Sequence, residues 1–178
     1  GELLPAAHAV DREFRVLRAL AGTPVPVPPA LLFHEGREVV GTPFYVMERV
    51  EGRVFGTSDM KGAAREDRRA MVMSFAETLA ALHDVDWRAV GLEGYGRPGN
   101  YYARQVARWI KQWEAQRFRD IPDLARLAAW LPANMPPDDG VTTIVHGDYR
   151  IGNVMFAPDA PRVVAVLDWE LSTLGHPL

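Results

Sequence analysis

Cysteine is absent from the 178-residue sequence, and histidine occurs only five times. Without thiols the chain can form neither disulfide bonds nor cysteine-ligated metal sites. Phosphoesterases that use two metal ions need several histidine ligands at matched strand ends, and the histidines of this chain are scattered. They are His8, His34, His83, His146 and His176. The sequence therefore disfavours a metallophosphoesterase, and a reducing, cytoplasmic location is the simplest expectation.

The sequence also lacks a strong net charge and long hydrophobic runs. A net charge of -3 gives no overall attraction to nucleic acid or to an anionic membrane, so we expect neither as a partner. No apolar segment approaches the roughly 20 residues that a bilayer-spanning helix needs. Residues 1–5 lack the charged and apolar regions of a signal peptide. The content of 48% hydrophobic residues is enough for a buried core.

Three oxygen-bearing side chains in the last third of the chain form the most informative pattern. Residues 142–145 have the β-branched composition of a strand, and Gly147 allows a sharp turn, so Asp148 is expected on a loop at a strand end. Asn153 opens the next strand. A turn with two prolines then returns the chain as a hairpin that ends at Asp168. The hairpin is expected to bring Asp168 back toward Asn153.

These residue types suit phosphoryl transfer. Asp148 can take a proton from a substrate hydroxyl, while Asn153 and Asp168 can hold Mg²⁺ against the phosphates of ATP. Magnesium prefers hard oxygen ligands and usually takes only one or two protein groups besides phosphates and water. His146 could contact a substrate, but we favour a structural role in which its ring forms hydrogen bonds that brace the loop.

The same residues resemble a known superfamily. Residues 146–153 are similar to the catalytic loop of aminoglycoside phosphotransferase and choline kinase-like proteins, a branch of the protein kinase-like fold. Residues 167–170 are similar to the segment in which protein kinases carry their metal-binding aspartate. Residues 164–175 resemble a subgroup that includes the kinase-like domains found beside acyl-CoA dehydrogenase domains. The resemblance extends over essentially the whole chain.

The resemblance implies an α+β, two-lobed protein kinase-like fold with a truncated N-terminal lobe and an incomplete helical C-terminal lobe. Residues 1–50 would form a partial N-terminal lobe ending in the hinge, and residues 51–178 a partial, mainly helical lobe with the catalytic loop and the metal-binding hairpin. Because the family's phosphate-binding Lys or Arg would precede residue 1, we expect little turnover from this chain alone. The sequence pattern places helices at 11–21, 65–83, 101–119 and 121–131, strands at 31–34, 43–48, 142–145, 154–156 and 162–167, and an extended connector at 24–29.

By resemblance, four upstream residues would serve the nucleotide. Glu13 would pair with a cation that touches the phosphates, although on sequence alone it is equally well a solvated surface charge. Residues 47–52 resemble the hinge between the lobes. There the carbonyl of Glu48 and the N–H of Val50 would bind the adenine edge, with Met47 at the back of the adenine pocket. An ordinary strand end is the alternative interpretation of this segment.

The function implied is an ATP- and Mg²⁺-dependent kinase that moves the γ-phosphate to a hydroxyl of a small molecule. Resemblance to the subgroup associated with acyl-CoA dehydrogenases favours a hydroxyacyl-CoA-like acceptor over an aminoglycoside. The helix at 101–119 is rich in Arg and Lys, which also suits an anionic acceptor. A nucleotide-binding pseudokinase is the alternative, and the oligomeric state is left open. Side chains of that helix could contact the acceptor, or could belong to the core and a solvated face: Tyr102, Arg104, Arg108 and Trp113.

Overall fold

The computed structural model describes residues 10–177, so His8 and residues 1–5 lie outside the described range. The helices are α1 (Val10–Leu20), α2 (Arg65–Asp84), α3 (Tyr101–Gln116) and α4 (Pro122–Ala133). The strands are β1 (Ala30–His34), β2 (Phe44–Met47), β3 (Thr143–Val145), β4 (Val154–Phe156), β5 (Val163–Val166) and β6 (Thr173–Gly175). A short 3-10 helix, Ile151–Asn153, directly precedes β4.

The strands pair antiparallel in three ladders: β1 with β2, β4 with β5, and β3 with β6. All strands that the sequence predicts are present within two residues of their expected bounds. The sequence did not predict β6. Its three residues pair with β3, in the register Ile144 opposite Leu174, and this partner is distant along the chain. A strand this short carries too little local pattern to be recognised before its partner is known.

Helix α1 packs on β1 and β2 through an apolar face. Leu17 and Leu20 are buried, and the ring of Phe14 stacks on that of Phe33 in β1 with centroids 5.6 Å apart. Spacings of three and four residues place these side chains on one side of the helix. The helix ends where predicted, because the Leu20 carbonyl accepts hydrogen bonds from the Thr23 backbone at 3.0 Å and its hydroxyl at 2.7 Å.

Residues 24–29 form the predicted extended connector, and their carbonyls bind two other elements. The carbonyl of Pro26 accepts a hydrogen bond from the N–H of Val166 in β5 at 2.8 Å. The carbonyl of Pro29 accepts one from the N–H of Glu48 at 2.9 Å. Proline has no N–H, but its carbonyl remains an acceptor. The connector therefore links the β4–β5 hairpin to the chain that leaves β2.

Helix α2 supports the loop that follows β3. The ring of Phe75 stacks on that of Tyr149 with centroids 4.3 Å apart, and the Tyr149 hydroxyl donates a hydrogen bond to the Phe75 carbonyl at 2.7 Å. Burial raises the pKa of the Tyr149 hydroxyl, which keeps it a donor. Met71 and Leu82 are buried on the predicted apolar face. Burial lowers the pKa of His83 at the end of α2, as expected of a packing histidine.

The aromatic residues of α3 do not form the core stripe that their spacing suggests. Helices α3 and α4 pack on each other, yet neither contains a buried residue. Trp109 and Trp130 are 56% and 57% exposed, whereas the buried aromatic side chains include Tyr95 and Trp169. None of the helices in residues 10–177 is long and apolar enough to cross a membrane. The core that positions the candidate site therefore lies between α1, α2 and the three strand pairs.

Replacement of Gly147 by alanine should destabilise the fold. Gly147 has φ +87°, and a β-carbon there would lie 2.5 Å from the carbonyl oxygen of Leu171. We expect a loss of about 1–2 kcal/mol from left-handed strain and about 1–3 kcal/mol more from overlap. The matched control is Gly41→Ala, at φ +84° with no atom within 4 Å, which should lose only the first amount. Equal losses in chemical denaturation would show that the chain at Leu171 is not tightly packed on Gly147.

Candidate active site

His146 braces the loop that carries Asp148. Its side chain is 1% exposed, and its Nε2 lies 2.9 Å from the carbonyl oxygen of Leu167. Its Nδ1 accepts a hydrogen bond from the backbone N–H of Asp148 at 3.3 Å. These two partners assign the proton to Nε2, which donates to the carbonyl. The structural role that the sequence favours for His146 is therefore the one its contacts support.

The environment of His146 keeps its imidazole neutral. Burial lowers the pKa of the ring, and the hydrogen bond to Leu167 and the nearby charges of Asp168 and Asp148 oppose that effect only in part. A neutral ring can accept at Nδ1 and donate at Nε2 at the same time, whereas a charged ring could only donate. The two hydrogen bonds of the brace therefore require the neutral form.

Asn153 ties directly to Asp148. Its side-chain Nδ2 donates to the backbone oxygen of Asp148 and to the carboxylate oxygen Oδ2, both at 2.9 Å. Asn153 is only 4% exposed. Because the amide nitrogen is used twice, the amide oxygen Oδ1 is the end that remains for a cation. The structure thus brings together two of the three residues in the predicted pattern through direct contact.

Asp168 follows the strand that pairs with β4. The N–H of Leu167 donates to the carbonyl of Asn153 at 2.8 Å, which continues the ladder of Val154 opposite Val166. The hairpin therefore returns Asp168 toward Asn153, as the sequence predicts. Asp168 has φ +63°, a left-handed conformation that non-glycine residues rarely adopt. Strained backbone of this kind persists where the surroundings hold it and is frequent at functional sites.

Trp169 anchors the chain next to this strained residue. Its side chain is 1% exposed, its indole N–H donates to the carbonyl of Val166 at 3.0 Å, and its ring lies 4.6 Å from that of His146. Asp168 is thereby fixed between a paired Leu167 and a buried tryptophan. Its carboxylate and Asn153 Oδ1 are hard-oxygen groups of the kind that could hold Mg²⁺. Residues 10–177 contain no cluster of three His, Cys, Asp or Glu side chains, which a softer or fully protein-ligated metal would need.

Glu13 faces β2. Its Oε2 accepts a hydrogen bond from the Tyr45 hydroxyl at 2.9 Å, and the ring of Phe14 lies 6.3 Å from that of Tyr45. Burial raises the pKa of Tyr45, and the charges of Glu13 and then of Asp168 raise it further. Tyr45 therefore fixes the Glu13 carboxylate against β2. The sequence could not identify Tyr45, because its position in the chain is that of an ordinary strand aromatic. Pairing of Glu13 with a phosphate-binding cation stays a prediction.

The predicted hinge leaves β2 and runs to the β4–β5 hairpin. A β-carbon on Gly52 would overlap the Met155 side chain and lie 2.5 Å from the Phe156 carbonyl oxygen, so only glycine fits there. The backbone of Arg53 then pairs with Phe156 through hydrogen bonds of 2.7 and 2.9 Å. Met155, which the sequence analysis missed, thus lies beside the hinge. The side chain of Met47 is 41% exposed.

The adenine contacts of the hinge stay predictions. The N–H of Glu48 donates its hydrogen bond to the carbonyl of Pro29, so the adenine contacts proposed for this segment are those of the Glu48 carbonyl and the Val50 N–H.

The predicted acceptor residues of α3 make contacts within the chain. The Tyr102 hydroxyl lies 2.7 Å from His176 Nδ1, and Arg104 donates hydrogen bonds to the carbonyls of Gly99 and Arg97. These contacts anchor the start of α3. Acceptor binding by Tyr102, Arg104, Arg108 and Trp113 therefore gains no support from their contacts.

Arg150 is a further residue of the site that the sequence analysis missed. Its Nε lies 3.1 Å from Asp148 Oδ2, in an ion pair whose side chains are 56% and 42% exposed. The available signal was its position two residues after Asp148. Asp148 Oδ2 thus receives both the buried amide of Asn153 and the exposed guanidinium of Arg150.

Acidification should weaken the fold through His146. Because its pKa is lowered in the folded state from 6.5, the unfolded chain binds more protons below that pH, and stability should fall as pH decreases from about 7 to 5. We expect His146→Gln to lose stability at pH 7.5 and to show a shallower pH dependence in urea denaturation. The comparison variant is His83→Gln, because burial also lowers the pKa of His83. It should flatten the pH dependence as well, but without removing the two hydrogen bonds of the brace. An unchanged slope in the His146 variant would contradict the neutral brace.

The Tyr45–Glu13 hydrogen bond should contribute measurable stability. We expect Tyr45→Phe to cost about 1.5 kcal/mol, the usual net contribution of a hydrogen bond to a charged group. A double-mutant cycle with Glu13→Gln isolates the pair from other contacts of either residue. The measurement is the unfolding free energy of the four proteins. Strict additivity of the two losses would show that the hydroxyl and the carboxylate do not interact.

Known proteins are similar to this chain in sequence. Acyl-CoA dehydrogenase family member 11 of Gallus gallus is 49% identical over 178 residues, which are 100% of this chain and 23% of the relative. The human protein of the same name is 46% identical with the same coverage. The chain therefore spans about a quarter of the length of these curated relatives. They confirm the resemblance to the subgroup associated with acyl-CoA dehydrogenases.

Solved structures confirm the fold. A Ralstonia eutropha protein provisionally described as an aminoglycoside phosphotransferase has a TM-score of 0.90 at 48% identity, over 97% of this chain and 52% of that one. The streptomycin–ATP ternary complex of APH(2")-IIa has a TM-score of 0.62 at 18% identity, over 94% of this chain and 56% of that one. The predicted α+β, kinase-like fold is thus confirmed. A profile described as the phosphotransferase enzyme family, APH, matches residues 2–178, and the chain therefore belongs to that family of small-molecule phosphotransferases.

Proposed function

We propose that this chain supplies the catalytic loop and metal-binding hairpin of a kinase that transfers the γ-phosphate of ATP to a hydroxyl of a small molecule. The observation that carries the proposal is the contact set around Asn153. Its side chain binds Asp148, and its backbone carbonyl binds the N–H of Leu167, so that Asp168 comes next. The candidate base Asp148 is thereby hydrogen-bonded to the buried Asn153, and Asp168 directly follows a residue that is hydrogen-bonded to Asn153.

Each residue has a role in this proposal. Asp148 accepts the proton of the acceptor hydroxyl and orients it for attack. Asn153 and Asp168 would hold Mg²⁺, which when bound neutralises charge on the phosphates. Glu48 and Val50 would bind the adenine edge through their backbone, with Met47 and Met155 beside the base. Glu13 would orient the phosphate-binding cation. Positioning of the reactants and stabilisation of charge on the phosphates then account for most of the rate acceleration.

The acceptor that we propose is a hydroxyacyl-CoA-like molecule. The names of the relatives from Gallus gallus and human associate them with acyl-CoA dehydrogenases, which act on acyl thioesters. An anionic acceptor also suits the positive charges of α3. An aminoglycoside is a weaker candidate, since a polycationic acceptor calls for acidic residues. A shared fold does not determine which acceptor is used.

Two further expectations are part of the proposal. Residues 1–50 would form one partial lobe and residues 51–178 a second, and the protein would be located in the cytoplasm.

A pseudokinase is the second candidate, because a regulatory protein could keep the nucleotide site without turnover. The presence of Asp148, Asn153 and Asp168 together favours the enzyme. A pseudokinase would lack acceptor-dependent turnover even at full length, and that is what separates the two functions.

Two isosteric variants of the full-length protein test the proposal. Asp168→Asn should abolish Mg²⁺-dependent ATP binding in calorimetry without unfolding the protein, because asparagine tolerates φ +63°. Asp148→Asn should keep that binding and lose at least about 100-fold in acceptor-dependent ATP consumption, over a panel of hydroxyacyl-CoA, aminoglycoside, choline and sugar acceptors. Normal ATP affinity of Asp168→Asn would contradict the metal role. Tight ATP binding with no turnover on any acceptor would favour the pseudokinase.

A further inference from the structure

Arg150 forms an ion pair with Asp148, the carboxylate proposed as the catalytic base. Its Nε binds Asp148 Oδ2 at 3.1 Å, and the same oxygen accepts the Asn153 amide at 2.9 Å. Asn153 is buried, whereas the Arg150 side chain is 56% exposed. The amide is therefore the fixed partner of the carboxylate and the guanidinium the movable one.

The backbone of the 3-10 helix makes the seat for this arginine. A β-carbon on Gly152 would overlap Nη1 of Arg150 and lie 3.2 Å from its Cζ. The guanidinium thus rests against Gly152, where any larger residue would displace it. Tyr149, one residue earlier, is anchored to α2 through its hydroxyl. The arginine therefore projects from a rigid loop, although its head lies at the open side of the site.

A phosphoryl group that is transferred at Asp148 must come within reach of Arg150. A hydroxyl that gives its proton to Asp148 lies about 3 Å from the carboxylate. The phosphorus that this hydroxyl attacks is adjacent, so the phosphoryl oxygens lie within reach of a side chain that already touches the carboxylate. A planar guanidinium binds phosphate oxygens through two parallel N–H groups. Exposed ion pairs are weak, so Arg150 can leave Asp148 at little cost.

We propose that Arg150 is a further catalytic residue, which moves from Asp148 to the γ-phosphoryl group when MgATP binds and stays on that group during transfer. The inference rests on the proposed function. In the step, the acceptor oxygen forms a bond to the γ-phosphorus, and the bond from that phosphorus to the β–γ bridging oxygen breaks. ADP leaves with the electron pair, and the acceptor proton passes to Asp148. Arg150 supplies positive charge and N–H donors to the transferring oxygens, and its departure frees Oδ2 to take the proton.

The test compares MgATP with MgADP, which differ in the group that Arg150 would bind. In the full-length protein, Arg150→Gln should reduce the ratio of ATP to ADP affinity about tenfold and lower kcat at least about 100-fold. Arg150→Lys should recover part of both, because it keeps the charge without the planar fork. The control is Arg126→Gln, which removes an exposed arginine paired with Asp123 at 2.9 Å on α4 and should change neither quantity.

The outcomes separate the possible failures. A fall in kcat with an unchanged ATP-to-ADP affinity ratio would assign Arg150 to the positioning of Asp148 and overturn the phosphoryl contact. An unchanged kcat together with an unchanged ratio would overturn any role in transfer. Absence of MgATP binding by the unsubstituted protein would instead defeat the proposed function itself, and the inference would fall with it.

Discussion

The candidate site depends on the two backbone hydrogen bonds of Leu167. Its N–H donates to the carbonyl of Asn153, and its carbonyl accepts from the ring of His146. Both ends of the catalytic loop are therefore hydrogen-bonded to a single residue of the hairpin, directly before Asp168. Because the two bonds come from opposite ends of the loop, the loop cannot shift relative to the aspartate without losing one of them. The separation of the candidate base from the candidate metal ligands is set in this way.

The N-terminal elements reach the same region by different contacts. Arg12 of α1 donates to the carbonyls of Tyr95 and Ser172 at 2.9 and 3.1 Å, and its guanidinium lies 4.3 Å from the centre of the Tyr95 ring. The next residue, Glu13, binds Tyr45 on β2. One turn of α1 thus holds the segment after Asp168 with one side chain and β2 with another. The orientation of α1 and the conformation of the segment that follows Asp168 are consequently linked.

Local chemistry explains why so much could be predicted. Gly147 and Asp148 predict a tight turn, and the two prolines after β4 predict a hairpin turn. The apolar residues of α1 and α2 recur with the 3.6-residue period of a helix. Failures occurred where local pattern was weak or ambiguous. The strand β6 has three residues and a distant partner, and the aromatic residues of α3 have the period of a core helix although none is buried. The period of the apolar residues indicates which side chains lie on one face of a helix. It does not indicate whether another element of the fold covers that face.

The residue types, their spacing and the turn chemistry were enough to select Asp148, Asn153 and Asp168 as candidate site residues and to recognise the family they resemble, since these signals act within a few residues along the chain. The partners of those residues emerged only from the fold. His146 meets Leu167 across 21 positions, Tyr45 meets Glu13 across 32, and the guanidinium of Arg150 turns back on Asp148 although many rotamers are open to an exposed arginine. Contacts between distant segments, and the choice of one rotamer among many, depend on how packing closes the chain on itself, which no local pattern encodes.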